Sequence, residues 1–284
     1  MPFTFSHPAI VLPLTFLPRK WYSFTGLVIG SLVPDFEYFL RMRIQSDYSH
    51  TFLGLFWFDL PLGIILAFVF HNLVRDSLID NLPLCFKSRL VKYKSLRWNK
   101  YFRTNWLVVI TSILIGAISH LFWDSFTHDN GYFVQIMPIL KETIDLNGMQ
   151  ISNLKILQHS GSLFGGIIIL FALLKLPSDN NITSQINIRY WIVFTSLTIA
   201  ITALRILSGL DYRLYGHVIV SAIAAGLIAL VLTPYDRYYS MQQYACDIAW
   251  EYLPNSSSLP ASVPNNCSID HLLHYESSSS DYHK

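Results

Sequence analysis

The sequence predicts an all-α fold: a polytopic integral membrane bundle of about five transmembrane helices, preceded by a short or re-entrant N-terminal helix. Three observations carry this expectation. The chain is 52% hydrophobic and only 13% charged, against about 25% charged residues in soluble domains. Its apolar residues gather into runs of near-spanning length, at about residues 51–74, 105–127, 156–176, 189–210 and 214–233. Between the first and second runs lies one strongly basic stretch.

Taken in order, residues 1–20 are apolar but broken by Pro2, Pro8, Pro13 and Pro18, too interrupted for a spanning helix. They lack the basic opening of a secretory signal, so the N-terminus reads as mature. Residues 21–40 contain Gly26, Gly30, Pro34, Asp35 and Glu37 and read as a short buried or re-entrant helix ending near Pro34; a true span is the competing reading. The first full span, 51–74, is interrupted by Asp59 and Pro61. A loop with eight basic residues follows: Arg75, Lys87, Arg89, Lys92, Lys94, Arg97, Lys100 and Arg103. The positive-inside rule places it in the cytoplasm. That rule accounts for the charge without nucleic-acid binding, and no nucleic-acid partner is expected.

The second span then runs outward, and loop 128–155, poor in cations, lies on the outer face. The third returns through Gly161, Gly165 and Gly166, small residues that permit close helix packing. A polar linker, 178–188, precedes the fourth span, and a tight turn at Asp211-Tyr212-Arg213 joins it to the fifth. Within the fifth, Ser221 to Gly226 reads as a packing face. Residues 1–233 form the membrane domain, and 234–284, with serines at 277–280, a polar flexible tail. Cys85, Cys246 and Cys267 are far apart with no CxxC, which excludes a disulfide framework and a zinc ribbon.

The chemistry centres on Ser119-His120-Leu121-Phe122-Trp123-Asp124-Ser125-Phe126-Thr127-His128. In a helix His120, Asp124 and His128 follow at i, i+4 and i+8, drifting only about 40° per step, so they form one stripe. Ionisable groups at membrane depth are costly and usually have a task. The topology brings further groups to the same level. His50 lies at the outer end of the first span and His159 at that of the third. Asp35 and Glu37 reach it if residues 21–45 fold back. Imidazoles with carboxylates suit Zn²⁺, or Mn²⁺ or Fe²⁺ where carboxylates dominate. A cation there polarises a phosphoryl oxygen and activates water.

Other polar residues read more plainly. His71 and His217 are hydrogen-bonded core residues, and His271, His274 and His283 are solvated in the tail. Asp59 lies about 180° round the helix from His50, so both face one cavity only if the helix breaks at Pro61. Arg205 is a counter-charge to Asp211 or another carboxylate, or an anion-binding group.

Three stretches carry a resemblance. Pro2-Phe3-Thr4-Phe5-Ser6-His7-Pro8-Ala9, with Gly30-Ser31-Leu32-Val33-Pro34-Asp35-Phe36-Glu37-Tyr38 and Tyr48-Ser49-His50-Thr51, resembles bacterial membrane proteins of domain of unknown function 4184, from the N-terminus to about residue 233. The arrangement is also similar to inner-membrane metal-dependent hydrolases, themselves similar to zinc-dependent phospholipase C and P1-type nucleases. Ser6-His7 matches their early Thr/Ser-His, Gly30 to Asp35 their Gly-x-x-x-Pro-Asp, Ser49-His50-Thr51 their Thr-His-Ser, and His120 with Asp124 their His-x-x-x-Asp helix. The likeness implies a divalent metal, zinc first, held by His7, Asp35, His50, His120 and Asp124, with His128 and His159 as further ligands. It departs at Gln45, where the hydrolases carry a second His, and at Glu37, where an Asp is common.

The implied function is hydrolysis of a phosphoester, a lipid-derived one among the candidates, by a multi-pass protein of the bacterial cytoplasmic membrane. Glu37 or Asp129 would be the general base, and membrane lipids the immediate partners. The rival expectations are a non-enzymatic membrane protein with a structural His/Asp seam, and a transporter using Asp59 and Arg205.

Overall fold

The computed structural model describes residues 3–146, 148–182 and 186–252. Contacts divide the chain into two units, Met1–Val231 and Leu232–Lys284. The expected flexible tail beyond residue 252, with its histidines and Cys267, lies outside the described residues.

Prolines shape the N-terminal segment into short pieces: a 3-10 turn Thr4–Ser6, helix α1 (Pro8–Val11), and 3-10 turns Leu12–Phe16 and Arg19–Trp21. Helix α2 (Phe24–Leu32) is capped by Ser23, whose Oγ accepts the Gly26 N–H at 3.2 Å. Pro34, which has no N–H to donate, ends α2 near the expected place. A 3-10 turn Val33–Asp35 then leads into α3 (Phe36–Arg41), closed by Met42 in the left-handed region at φ 50°.

The first long helical stretch, Leu55–Asn81, is composite. A π turn, Leu55–Asp59, opens it, followed by α4 (Leu60–Val69), a second π turn, Phe70–Val74, and α5 (Arg75–Asn81). Helix α6 (Leu84–Leu90) and a 3-10 turn Val91–Ser95 connect it to α7 (Trp98–Asp124). The basic stretch is therefore mostly helical and not the expected loop. Its cations find local acceptors: Lys94 Nζ reaches Asp80 Oδ1 at 2.6 Å, and Lys87 Nζ donates to the Asp80 carbonyl at 2.9 Å.

After α7 come α8 (Tyr132–Ile136) and an antiparallel hairpin that the sequence reading missed, β1 (Thr143–Leu146) with β2 (Met149–Ser152), in register Thr143↔Ser152 to Leu146↔Met149. Gly148, at φ 86°, makes its turn. Helices α9 (Asn153–Leu174), α10 (Ile188–Leu207) and α11 (Tyr215–Tyr252) follow. Five segments are long and apolar enough to cross a membrane: Leu55–Asn81, Trp98–Asp124, Asn153–Leu174, Ile188–Leu207 and Tyr215–Pro234. The first two overrun their expected bounds because helix continues from the apolar runs into the basic stretch.

The core is the crossing of α2 and α7. A Cβ on Gly30 would strike the Ile113 carbonyl, and one on Gly116 the Leu27 carbonyl, so only hydrogen fits and the backbones touch. Val33, Leu55 and Ala117 pack beside this crossing, as do Ala67, Trp98, Val109 and Ile113. The small face of α11 is used as expected: Val220 and Ala224 pack on Tyr38 and Phe39, and Ser221 Oγ donates to the Met42 carbonyl at 2.7 Å. Of the three glycines on α9, Gly161 admits Trp123 and Gly165 admits Ser6, while Gly166 faces open space. Arg205 does not meet Asp211. It donates to Ser208 Oγ at 3.1 Å at the end of α10, and Asp211 Oδ1 accepts the Arg213 N–H.

Candidate metal centre

Four parts of the chain converge at one end of α7. The last turns of α7 supply His120 and Asp124, and the His128 N–H, bonded to the Asp124 carbonyl at 3.0 Å, keeps His128 near the helical stripe. The turn after α2 supplies Asp35, fully buried. The segment following α3 supplies His50. The N-terminal segment supplies Thr4 and His7, held by the bond from the Phe3 N–H to Ser162 Oγ at 2.7 Å and by the close seat of Ser6 on Gly165.

His50 is placed by a clasp built on Glu37. One Glu37 oxygen, Oε1, accepts from Arg41 Nε at 2.9 Å and the Asp47 N–H at 2.9 Å. The other, Oε2, accepts from the Tyr48 and Ser49 N–H groups at 3.0 and 2.8 Å. Burial pushes the Glu37 carboxyl up, but the backbone donors of Asp47, Ser49 and Tyr48, with Arg41, outweigh it and hold it at about 2. The sequence reading offered Glu37 as a general base. Both oxygens are committed to fixing the segment that ends in His50.

The ligating atoms of Asp35, His50, His120 and Asp124 all lie within 4.8 Å of one another. His120 Nε2 stands 3.5 Å from Asp35 Oδ1 and 3.3 Å from Asp124 Oδ2; His50 Nε2 stands 3.7 and 3.6 Å from the same two atoms. Ligand atoms about 2.0–2.2 Å from a tetrahedral ion stand about 3.3–3.6 Å apart. Among the described residues, Asp35 Oδ1, His50 Nε2, His120 Nε2, Asp124 Oδ2 and His128 Nε2 are all buried without a hydrogen-bond partner. Buried polar atoms are nearly always satisfied. The four from Asp35, His50, His120 and Asp124, drawn within 4.8 Å of one another, fit a cation, with His128 Nε2 beside them 3.0 Å from Asp124 Oδ2.

The atoms turned away from that point are satisfied instead. His120 Nδ1–H donates to the Ser31 carbonyl at 2.8 Å, which leaves Nε2 as the bare nitrogen. Thr4 Oγ1 donates to Asp35 Oδ2 at 2.6 Å and turns Oδ1 inward. The Nδ1 of His50 meets Ser49 Oγ at 3.0 Å. These outer partners were invisible in the sequence, because Thr4–Asp35 and Ser31–His120 join residues far apart in the chain. Burial pushes the Asp35 carboxyl up, but the His120 imidazole beside it, with His7, leaves it below its ordinary value.

The other predicted residues separate. His7, fully buried, stacks on His120 with ring centres 3.9 Å apart, and its Nε2 meets Asp124 Oδ1, the oxygen turned away from the shared point, at 3.3 Å. His128 Nε2 is 3.0 Å from Asp124 Oδ2 at the more open edge. Asp129 is exposed, with its carbonyl accepting from Gln135 Nε2. His159 is also exposed and lines a shallow cavity of about 450 Å³ with Ile151, Lys155, Ile156, Ser160 and Leu163. Neither Asp129 nor His159 is brought into the cluster. Gln45 Nε2 donates to Asp47 Oδ2 at 2.9 Å beside the clasp.

Fold and site together define a helical bundle, rich in membrane-length helices, with a buried His/Asp centre of the kind that holds a metal ion. The chain belongs to the family described as domain of unknown function (DUF4184), whose profile matches residues 1–235 and so includes every candidate ligand. No curated protein and no solved structure matches it.

Proposed function

We propose that this is an integral membrane protein whose His/Asp centre holds a divalent cation, zinc first, and hydrolyses a phosphoester. The observation that carries the reading is the convergence of four ligand atoms, from Asp35, His50, His120 and Asp124, within 4.8 Å of one another, each buried without a hydrogen-bond partner. A structural seam settles into separate pairs, whereas here the Nε2 atoms of His50 and His120 each stand 3.3–3.7 Å from both carboxylates at once, the spacing of atoms that share one ion. Asp35, His50, His120 and Asp124 would hold the cation, and Thr4, Ser31 and Ser49 would orient them. When bound, such an ion supplies Lewis-acid activation of a phosphoryl oxygen and of water. The chain's own part is to present a dry, shaped site with one open side. His50 and His128 border that side, with 18% and 32% of their side chains exposed. With Glu37 committed to the clasp, His128 is the residue placed to take a proton from an attacking water. In the membrane the basic end of α5 to α7 faces the cytoplasm and the centre lies at the opposite surface.

The test is the metal content of the detergent-purified protein beside a His120→Ala/Asp124→Ala variant, followed by phosphoester hydrolysis. About one or more equivalents of metal, lost in a folded variant together with hydrolysis, is the expected result. No metal in either protein after reconstitution with zinc and manganese sinks the proposal.

A second reading, ion-coupled transport, rests on Asp59. This carboxylate is fully buried, and among the described residues neither oxygen has a partner. Loss of uptake with retained metal in Asp59→Asn would favour it.

A further inference from the structure

The depth of the centre in the bundle narrows the substrate, on the proposed metal-dependent hydrolysis. From the kink in α7 at Asn105 (φ −125°), just past the last basic residue Arg103, the helix rises about 28 Å to the ligand Asp124 at 1.5 Å per residue, close to the thickness of a bilayer's hydrocarbon core, about 30 Å. If Arg103 marks one interface, Asp124 marks the other. The centre then lies neither at mid-membrane, where a coupling ion would sit, nor out in the water on a separate domain.

The side chains around the opening support that depth. Tyr48, Trp57 and Tyr132 are all 46% exposed or more, although each is large and amphipathic. Tyr48 and Trp57 meet edge to face at 5.2 Å beside the segment that carries His50. Phe126 stacks on Phe133 at 4.0 Å just beyond Asp124. Aromatic rings with one apolar and one wet side collect at headgroup level in membranes. The half-buried His50 and His128 open within this belt, whereas Asp35 and His120 are sealed beneath it.

From this we infer that the substrate is a membrane-borne phosphoester, a phosphate carrying a long apolar chain, taken from the leaflet opposite the basic helices. Its phosphate reaches the centre at headgroup depth while its chain stays among the lipids beside the spans. Water adds its oxygen to phosphorus and the ester P–O bond breaks. The released alcohol takes up a proton, and the water gives up one.

The depth is tested without turnover by loading the full-length protein, in phosphatidylcholine vesicles, with Mn²⁺ alone and recording the phosphorus-31 resonance of the lipid phosphates. Paramagnetic broadening by the wild-type protein beyond that seen with Asp124→Ala at the same Mn²⁺ is expected. Bound Mn²⁺ with no added broadening overturns the inference. The substrate class is tested with two phosphoesters of identical headgroup, one long-chain and embedded in the vesicles, one short-chain and water-soluble. Cleavage of the embedded ester at least about tenfold faster, a 1.4 kcal/mol preference, supports it. Equal or faster cleavage of the soluble ester overturns it and leaves the hydrolase reading standing. Cleavage of neither overturns the hydrolase reading and the inference with it.

Discussion

The histidine at the basic end of the long helices and those at the opposite end have opposite characters. At the basic end, His71 has both ring nitrogens engaged: Nδ1 accepts from Arg75 at 3.0 Å and Nε2 meets Thr25 Oγ1 at 2.9 Å. Its ring lies flat on Trp98 at 4.4 Å, and Arg75 goes on to bond the carbonyls of Leu96 and Lys94. At the other end, His50, His120 and His128 each keep a buried Nε2 without a hydrogen-bond partner. The contrast teaches that burial of an imidazole says little about its role. What matters is whether its second nitrogen has been left free, because an empty lone pair in a dry interior is costly unless an ion or substrate takes it.

The comparison can be broken most forcibly at Asp124, the carboxylate that meets His7, His50, His120 and His128 together. Asp124→Ala is expected to weaken metal binding by more than the roughly 100-fold that loss of an outer partner causes, as read by metal titration of the folded variant. A smaller step is Thr4→Ala, which frees Asp35 Oδ2. It should weaken the metal about 10- to 100-fold, with Thr4→Ser restoring it; unchanged affinity would show that Asp35 needs no outer partner.

The opposite group supplies the control. His71→Ala should leave metal content unchanged but lower stability by about 1–3 kcal/mol, since it strands the Thr25 hydroxyl and one Arg75 donor. Chemical unfolding in detergent measures this, and a loss of metal would erase the distinction between the two ends.

The mildest test concerns Glu37→Gln in metal-free protein. The Glu37 carboxyl is held at about 2 in the fold, against an ordinary value of 4.5. Because the folded value is the lower one, its stabilising effect is complete above 4.5 and is lost as pH falls from there through about 2. The gap in unfolding temperature between wild type and Glu37→Gln should therefore be constant near neutrality and close in acid. A gap that stays open down to pH about 2 would mean the carboxylate is not what holds the clasp.

Much of this was legible beforehand. The helical class and five membrane-length helices follow from hydropathy alone, because an apolar run of spanning length has few other uses. The stripe His120, Asp124, His128 follows from helical spacing, and Pro34 fixed where α2 stops. The hairpin at Thr143–Ser152 escaped notice because its strands are short and its alternation weak. Glu37 and Asp129 were matched to catalysis by type and position, yet the one is consumed by backbone donors and the other lies exposed.

By itself, then, the sequence determined which residues could ligate and roughly at which level of the bundle each would lie, since helix rise and hydropathy are local properties. Only the tertiary structure decided which of them meet. The contact of α2 with α7 through Gly30 and Gly116 brings Asp35 beside His120. The Glu37 clasp turns His50 inward, and the seat of Ser6 on Gly165 carries Thr4 and His7 to the same point. Those encounters depend on backbone approach and on hydrogen bonds between residues far apart in the chain. No local spacing encodes them.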